Sequence, residues 1–217
     1  MINFERERKA MVEDLQARGI KDARVLAAMR KVPRHEFLPE ALRFSAYGDH
    51  ALPIGEGQTI SQPYMVALMS ELLELTGSER MLEIGAGSGY QTAVLAELCE
   101  KVYSVERIKA LAASAREALD RIGCRNAAIK VFDGTYGWKE MAPFDAIMVT
   151  AGAPEIPQHL LGQLREGGAM VIPVGERFSQ QLLKITKTPE GPKIEKSIPC
   201  VFVPLIGAQG WKEERSI

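Results

Sequence analysis

Along the chain, segments with the apolar spacing of amphipathic helices alternate with short apolar runs that are typical of buried strands. Two helices are predicted within residues 3–31, separated at Gly19, with Asp22 as the N-cap of the second. Another is predicted over 64–75, directly after Pro63. The rest of the chain contains five predicted strands with helical segments between them, over 81–84, 101–105, 128–132, 144–149 and 169–174. This alternation indicates an α/β fold with a mostly parallel sheet and helices on both faces.

Two further strands, over 181–186 and 197–203, are predicted near the C-terminus, joined by the turn Pro189-Glu190-Gly191-Pro192. Strands that follow each other through a short turn pair in antiparallel fashion. We therefore expect an antiparallel edge on the parallel sheet.

The length of 217 residues is that of one domain. We expect 1–217 to form a single domain, in which 1–79 is a region of helices and a substrate loop and 80–217 is the sheet core with the C-terminal strands. The polar segment 45–62 is too long for an ordinary connection, and long ordered loops often carry function. Residues 1–32 could cover the sheet, act as a lid or contact a second copy of the chain, and the pattern leaves these alternatives open.

The glycines after the first core strand follow the pattern of a ligand-binding turn between a strand and a helix. They are Gly85, Gly87 and Gly89, whereas a dinucleotide fingerprint would require its third glycine at the position of Tyr90. Glu83 lies inside the strand, where its carboxylate would repel a pyrophosphate and attract a sulfonium or ammonium group. This arrangement resembles motif I of S-adenosylmethionine (SAM) dependent methyltransferases. It predicts a Rossmann-like fold of that kind, with Glu83 and the three glycines at the cofactor.

Two more acidic positions match an adenosine ligand. Glu106 ends the second core strand about 20 residues after the glycine turn, the interval at which an acid binds a ribose diol. Asp133 and Gly134 follow the third strand, and Asp133 could accept a hydrogen bond from an adenine amino group. A surface glutamate at a strand end and a plain turn are the alternatives for these two sites.

Composition and charge exclude several classes of partner. Apolar residues make up 46 %, charged residues 25 %, and the net charge is -1, so we expect neither nucleic acid nor membrane as a partner. The three histidines lack metal-ligand spacing, and we expect no metal. Three scattered cysteines and a charged N-terminus indicate a cytoplasmic protein, and we expect a monomer.

Six segments spread over most of the chain carry a more specific resemblance. They are GQTISQPYMVALM (57–69), LEIGAGSGYQTA (82–93), YSVERI (103–108), DGTYGW (133–138), PFDAIMVTAGAPEIPQHLLGQLREGGAMVIPVG (143–175) and FVPLIGAQGW (202–211). In these segments the chain resembles the protein-L-isoaspartate O-methyltransferases. Motif I occurs in many methyltransferases, whereas QTISQP and the tail VPLxGxxGW are far more specific to this family.

The resemblance implies the repair of aged proteins. The family transfers the SAM methyl group to the α-carboxylate of L-isoaspartyl residues, leaving S-adenosyl-L-homocysteine, and the ester closes to a succinimide on the way back to aspartate. It implies that SAM is bound by Gly85, Glu106, Asp133, Gly134 and the loop Thr59-Ile60-Ser61, and that Ser61 is the active-site serine. The substrate positions that it implies are Ser61, Ala151, Gly152, Val203, Pro204 and Leu205. A polar residue that some members carry after the serine corresponds here to Val66.

The residues themselves are compatible with this reaction. A carboxylate is ionised at neutral pH and is already a nucleophile, so alignment with the methyl donor matters more than a base. Ser61 would orient the acceptor carboxylate, with the capping of the following helix as an alternative or additional role. The small residues of the segment 150–154 leave room for a peptide backbone.

Three other functions remain as alternatives. The chain could methylate a small molecule or RNA, although RNA would favour a basic, aromatic surface. It could bind SAM without catalysis, since a fold does not fix a function. A nicotinamide-dependent enzyme is disfavoured by Tyr90 at the third glycine position.

Overall fold

Nine strands form one large sheet and one small one in the computed structural model, which describes residues 2–213. The small sheet is an antiparallel hairpin of β1 (Leu52–Gly55) and β2 (Gln58–Ile60). The large sheet contains β3 (Arg80–Ile84), β4 (Lys101–Glu106), β5 (Ala127–Val131), β6 (Phe144–Val149), β7 (Leu164–Glu176), β8 (Ser179–Thr188) and β9 (Gly191–Cys200). Its order is β5-β4-β3-β6-β7-β8-β9, and the first five strands are parallel. The predicted α/β fold with an antiparallel edge is thereby confirmed.

Within residues 2–213, six α-helices connect or cover these strands, on both faces of the large sheet. They are α1 (Phe4–Ala17), α2 (Ala23–Lys31), α3 (Pro63–Leu72), α4 (Tyr90–Ala96), α5 (Lys109–Arg121) and α6 (Gln158–Gln163). The predicted cap at Asp22 is present, since its side chain accepts hydrogen bonds from the N–H groups of Arg24 and Val25. None of the helices in residues 2–213 combines the length and apolar character needed to cross a bilayer.

Several boundaries differ from the sequence prediction. The segment 45–62 is not a plain loop, because it contains the β1–β2 hairpin, whose turn residues Glu56 and Gly57 both have positive φ. β7 begins at Leu164, five residues before the predicted start of this strand at Ala169. β9 spans Gly191–Cys200 rather than 197–203, because the turn after Thr188 is only two residues long.

The two faces of the sheet bury two apolar clusters, and side chains alternate between them along each strand. Met81 joins the cluster that includes residues of α1 to α5, whereas Leu82 joins the cluster under α6. Ala146 and Ile147 divide in the same way. The sheet is therefore covered on both sides, and its accessible parts are the strand ends and its edges.

β9 forms the outer edge beyond β8, and in residues 2–213 no further strand pairs with it. Its side chains include Lys193, Glu195 and Lys196, all exposed, and two prolines at 192 and 199.

Candidate functional site

The carboxyl ends of β3, β4 and β6 open into one cleft with an empty volume of about 810 Å³, open solvent included. The chain order reverses between β3 and β6, because β4 and β5 lie on one side of β3 and β6 and β7 on the other. Open α/β sheets bind ligands in the crevice at such a reversal. The predicted cofactor turn lies at this crevice.

The glycine turn shapes the floor of the cleft. Gly85 and Gly87 both have positive φ and line the cleft, and a Cβ on Gly85 would clash with the Thr150 hydroxyl. That hydroxyl lies 2.9 Å from the carbonyl oxygen of Ile84 and 2.6 Å from that of Gly85. The turn is thus held against the end of β6, with bare backbone facing the cleft.

Glu106 lines the cleft beside this turn, although its side chain is almost fully buried. One carboxylate oxygen accepts a hydrogen bond from the Gly87 N–H at 2.9 Å, and the other accepts one from the Ile108 N–H at 2.9 Å. Each carboxylate oxygen can accept more than one hydrogen bond, so acceptor capacity remains for a ligand diol. Next to it, a Cβ on Gly134 would come within 2.6 Å of the Ile84 side chain, so only glycine leaves this wall flat.

Glu83 does not reach the cleft, which corrects the predicted direct contact with the ligand. It faces α4 and is fully buried, and one carboxylate oxygen accepts hydrogen bonds from the hydroxyls of Thr92 at 2.5 Å and Ser104 at 2.6 Å. The other oxygen has no hydrogen-bond partner in the described part of the chain. Burial raises the pKa of Glu83 to about 7.

Gly89 and Asp133 likewise lie outside the lining of the cleft. Gly89 allows α4 to approach α5, since a Cβ there would lie 3.2 Å from that of Ala115. Asp133 accepts hydrogen bonds from the Thr135 N–H at 2.9 Å, the Thr135 hydroxyl at 2.7 Å and the Ala208 N–H at 2.8 Å. Its carboxylate thus anchors a distant segment, and its contact with adenine stays a prediction.

That segment, residues 202–211, is here called the C-terminal strap. Its residues 203–206 form one wall of the cleft, including the predicted Val203, Pro204 and Leu205. Gly152 itself does not line the cleft but binds the strap: its N–H donates to the Val203 carbonyl at 2.8 Å, and its carbonyl accepts from the Leu205 N–H at 2.8 Å and the Trp211 indole at 3.0 Å. Ala151 lines the cleft.

The loop Thr59-Ile60-Ser61, which is predicted to bind the cofactor, also lines the cleft. Gln62, not Ser61, is the N-cap residue of α3, so the alternative role of Ser61 as a helix cap is wrong. The Ser61 hydroxyl makes no hydrogen bond to other groups of residues 2–213, and it is therefore available to a ligand.

A second groove, here called the acceptor groove, adjoins the cleft and shares four residues with it. The shared residues are Thr59, Ser61, Thr150 and Val203. The groove continues between the start of α3 and the residues that follow β9, including the exposed Val201. Two molecules, one in the cleft and one in the groove, would meet at Ser61 and Thr150.

Sequence reasoning missed several lining residues, among them Gln58, Gln91, Arg107, Ile108, Thr150 and Ile206. Thr150 could have been found as the first residue after β6, at the same sheet edge as Gly85. Gln91 carried no such signal, because its position depends on a hydrogen bond from its amide to the Ser70 hydroxyl at 3.0 Å.

The lining of the cleft fits an adenosine-containing ligand. Glu106 supplies carboxylate acceptors, Val105 and Ile108 supply apolar walls, and the bare turn at Gly85 and Gly87 allows close approach. In the described residues no three His, Cys, Asp or Glu side chains are grouped to hold a metal ion.

Comparisons with known proteins identify the relatives of this chain. The family model of protein-L-isoaspartate(D-aspartate) O-methyltransferase matches residues 6–210. A protein-L-isoaspartate O-methyltransferase of Geobacter metallireducens is 58 % identical over 215 residues, which are 98 % of this chain and all of that protein. The relative named protein-L-isoaspartate O-methyltransferase 2 in Geotalea uraniireducens is 59 % identical over 216 residues, 99 % of this chain and all of that protein.

Solved structures give the same result. A structure titled protein-L-isoaspartate O-methyltransferase superposes with a TM-score of 0.84 at 30 % identity, over 94 % of this chain and 67 % of that one. A Plasmodium falciparum protein of the same name, solved in complex with S-adenosyl-L-homocysteine, gives a TM-score of 0.79 at 29 % identity, over 94 % and 98 % of the two chains.

Proposed function

This chain belongs to the protein-L-isoaspartate(D-aspartate) O-methyltransferase family, and we propose that it methylates the α-carboxylate of L-isoaspartyl residues in damaged proteins and peptides. The acceptor oxygen forms a bond to the methyl carbon of SAM, the carbon–sulfur bond breaks, and S-adenosyl-L-homocysteine leaves. The ester then loses methanol as the following backbone nitrogen closes the succinimide, whose hydrolysis returns part of the material to aspartate.

The observation that carries this proposal is the meeting of two binding spaces at Ser61 and Thr150, one suited to adenosine and one open to a peptide. A small-molecule methyltransferase would not need the open groove. We propose that the cofactor is held by the loop Thr59-Ile60-Ser61, by the bare turn at Gly85 and Gly87, by Glu106 and by Gly134. When bound, it supplies the electrophilic methyl group.

On the acceptor side, the residues have to orient a group that is already reactive. The α-carboxyl group of a peptide has an ordinary pKa near 3.5, so it is ionised at neutral pH without a base. We propose that the free hydroxyl of Ser61 donates a hydrogen bond to this carboxylate. Ala151 and the strap residues Val203, Pro204 and Leu205 would contact the peptide, and Gly152 would act by holding the strap.

Damaged peptides and proteins are the partners in this proposal, and a single domain over residues 1–217 is its structural unit. We also propose a cytoplasmic monomer. Cys99, Cys124 and Cys200 are all free thiols, which is expected in a reducing compartment.

The proposal is tested with two synthetic peptides that are identical except for aspartate or L-isoaspartate at one position. We expect base-labile transfer of labelled methyl groups from SAM to the isoaspartyl peptide alone. Transfer to neither peptide, with binding of S-adenosyl-L-homocysteine measured by calorimetry, would refute the repair activity and leave a small-molecule acceptor or a binding role.

Ser61→Ala tests the role of the hydroxyl. A hydrogen bond to a charged group contributes about 1.5–3 kcal/mol, so we expect kcat/KM for the isoaspartyl peptide to fall roughly ten- to a hundredfold. Binding of S-adenosyl-L-homocysteine should weaken far less. Undiminished turnover in this variant would show that the hydroxyl does not orient the acceptor.

A further inference from the structure

The first turn of α3 obtains its cap from a distant residue. Gln62 at the N-cap makes no side-chain capping bond, and Pro63 has no N–H, so the N–H of Tyr64 is the first backbone donor that needs a partner. Asp49 supplies it, since its Oδ1 accepts from the Tyr64 N–H at 2.8 Å. A residue 15 positions earlier thereby fixes the start of this helix.

The second carboxylate oxygen of Asp49 connects two more elements. Its Oδ2 accepts from the Gln62 side-chain amide at 3.3 Å and from the Arg18 guanidinium at the end of α1. Arg18 also lies over the Tyr64 ring, 4.1 Å from its centroid, and binds Asp14 at 3.4 Å. Asp49 therefore fastens the end of α1 and the start of α3 to each other.

Ser61 directly precedes the residues that Asp49 holds. Its hydroxyl has no hydrogen bond of its own within residues 2–213, so its location depends on the backbone next to Gln62. Asp49 itself lines neither the cleft nor the acceptor groove. It can therefore act on the reaction only through the residues it holds.

Through its ion pair with Arg18, Asp49 also affects the charge of the acceptor groove. Of the described residues that line the acceptor groove, Arg18 is the only charged one. The hydrogen bond and charge of Asp49 raise the pKa of Arg18, which reflects the strength of their pairing. Without Asp49, the guanidinium would become a competing site for the carboxylate of a substrate.

We propose that Asp49 is a positioning residue of the acceptor side, which fixes the Ser61 segment and occupies Arg18 so that a peptide carboxylate binds at Ser61. The proposal rests on the proposed function, because it concerns the acceptor of that reaction. It predicts an effect on the peptide without a comparable effect on the cofactor.

The test compares Asp49→Ala with Asp49→Asn in the full chain. Alanine removes both the cap and the charge, whereas asparagine keeps an oxygen acceptor for the Tyr64 N–H. We expect kcat/KM for the isoaspartyl peptide to fall at least tenfold in Asp49→Ala and to be partly restored in Asp49→Asn. The dissociation constant of S-adenosyl-L-homocysteine should stay within about twofold in both.

Asp14→Asn is the matched control, since it removes the other carboxylate from Arg18 but touches neither Tyr64 nor Gln62. It should retain the wild-type kcat/KM. If Asp49→Ala does not fold, Asp49→Asn decides alone: the proposal requires a lowered kcat/KM for the peptide with unchanged cofactor binding.

Two results would overturn the proposal. Wild-type kcat/KM in both Asp49 variants would remove any positioning role, and equal losses of peptide turnover and cofactor affinity would indicate a general structural role. Both differ from a failure of the proposed function, in which the wild-type protein itself would not methylate the isoaspartyl peptide.

Discussion

Glu83 is a carboxyl group enclosed by the apolar interior between β3 and α4. Two hydroxyls bind one of its oxygens, but the other has no partner within residues 2–213, and burial disfavours the charged form. The side of the sheet on which Glu83 lies could have been predicted from the sequence. Side chains alternate along a strand, so Glu83 lies on the same face as Met81, which packs in the cluster that includes α4. The prediction that Glu83 lies at the cofactor was based only on the attraction between its carboxylate and a sulfonium group.

The raised pKa of Glu83 predicts a pH dependence of stability. Its folded pKa of about 7 lies above the ordinary 4.5, so the folded state binds this proton more tightly than the unfolded state. The favourable contribution is full below about pH 4.5 and is lost as the pH rises through 7, by an amount on the order of 3 kcal/mol. Glu83→Gln should therefore show a smaller loss of unfolding free energy between pH 5 and 8.

Urea unfolding of the wild type and the variant at pH 5, 6, 7 and 8 measures this difference. Other titrating groups affect both proteins alike, so the difference between the two curves isolates Glu83. Parallel curves would mean that Glu83 is charged in the folded protein throughout this range.

Among the elements, those with local patterns were predictable from sequence. The strand–turn–helix unit around Gly85 and the capped helix after Asp22 depend on neighbouring residues. The C-terminal strap has no such pattern, because its position depends on partners such as Asp133, 75 residues away from Ala208. The roles of Gly152 and Asp133 could not be foreseen for the same reason.

The strap predicts an indirect effect on cofactor binding. Asp133→Ala would release the Ala208 N–H and Thr135 from their shared anchor and loosen the wall formed by residues 203–206. At about 1 kcal/mol for each lost hydrogen bond, we expect S-adenosyl-L-homocysteine to bind roughly five- to thirtyfold more weakly by calorimetry.

Trp211→Phe distinguishes this effect from a direct contact of Asp133 with adenine. It removes the indole hydrogen bond to Gly152 at the end of the strap and keeps an aromatic ring there, and it should also weaken binding, by a smaller factor. Glu140→Gln, which changes an exposed carboxylate paired with Lys130, serves as the control. A loss in Asp133→Ala without any loss in Trp211→Phe would favour the direct contact.

At the scale of the whole molecule, one apolar cluster connects the N-terminal helices with the sheet. It extends from Met11 of α1 to Leu182 of β8 without a break. Helices α1 to α3 therefore have no separate core, and a single cooperative domain is expected.

Unfolding followed by two probes tests whether the chain unfolds as a single cooperative domain. Far-UV circular dichroism reports mainly on helices, just over half of whose residues lie in α1 to α3. Fluorescence reports on Trp138 and Trp211, which lie in the part of the chain after residue 80. The two transitions should coincide, and S-adenosyl-L-homocysteine should shift both equally; separate midpoints would divide the chain into two units.

The charges and prolines of the edge strand β9 affect how this protein interacts with partly unfolded substrates. An uncovered sheet edge is a template for pairing with other chains and for aggregation, and lysines, charges and prolines on the edge oppose it. Aged, partly unfolded proteins expose strands of their own. An enzyme that binds such proteins repeatedly benefits from a sheet edge that disfavours pairing with their strands. The substrate is then released after the reaction and does not co-aggregate with the enzyme.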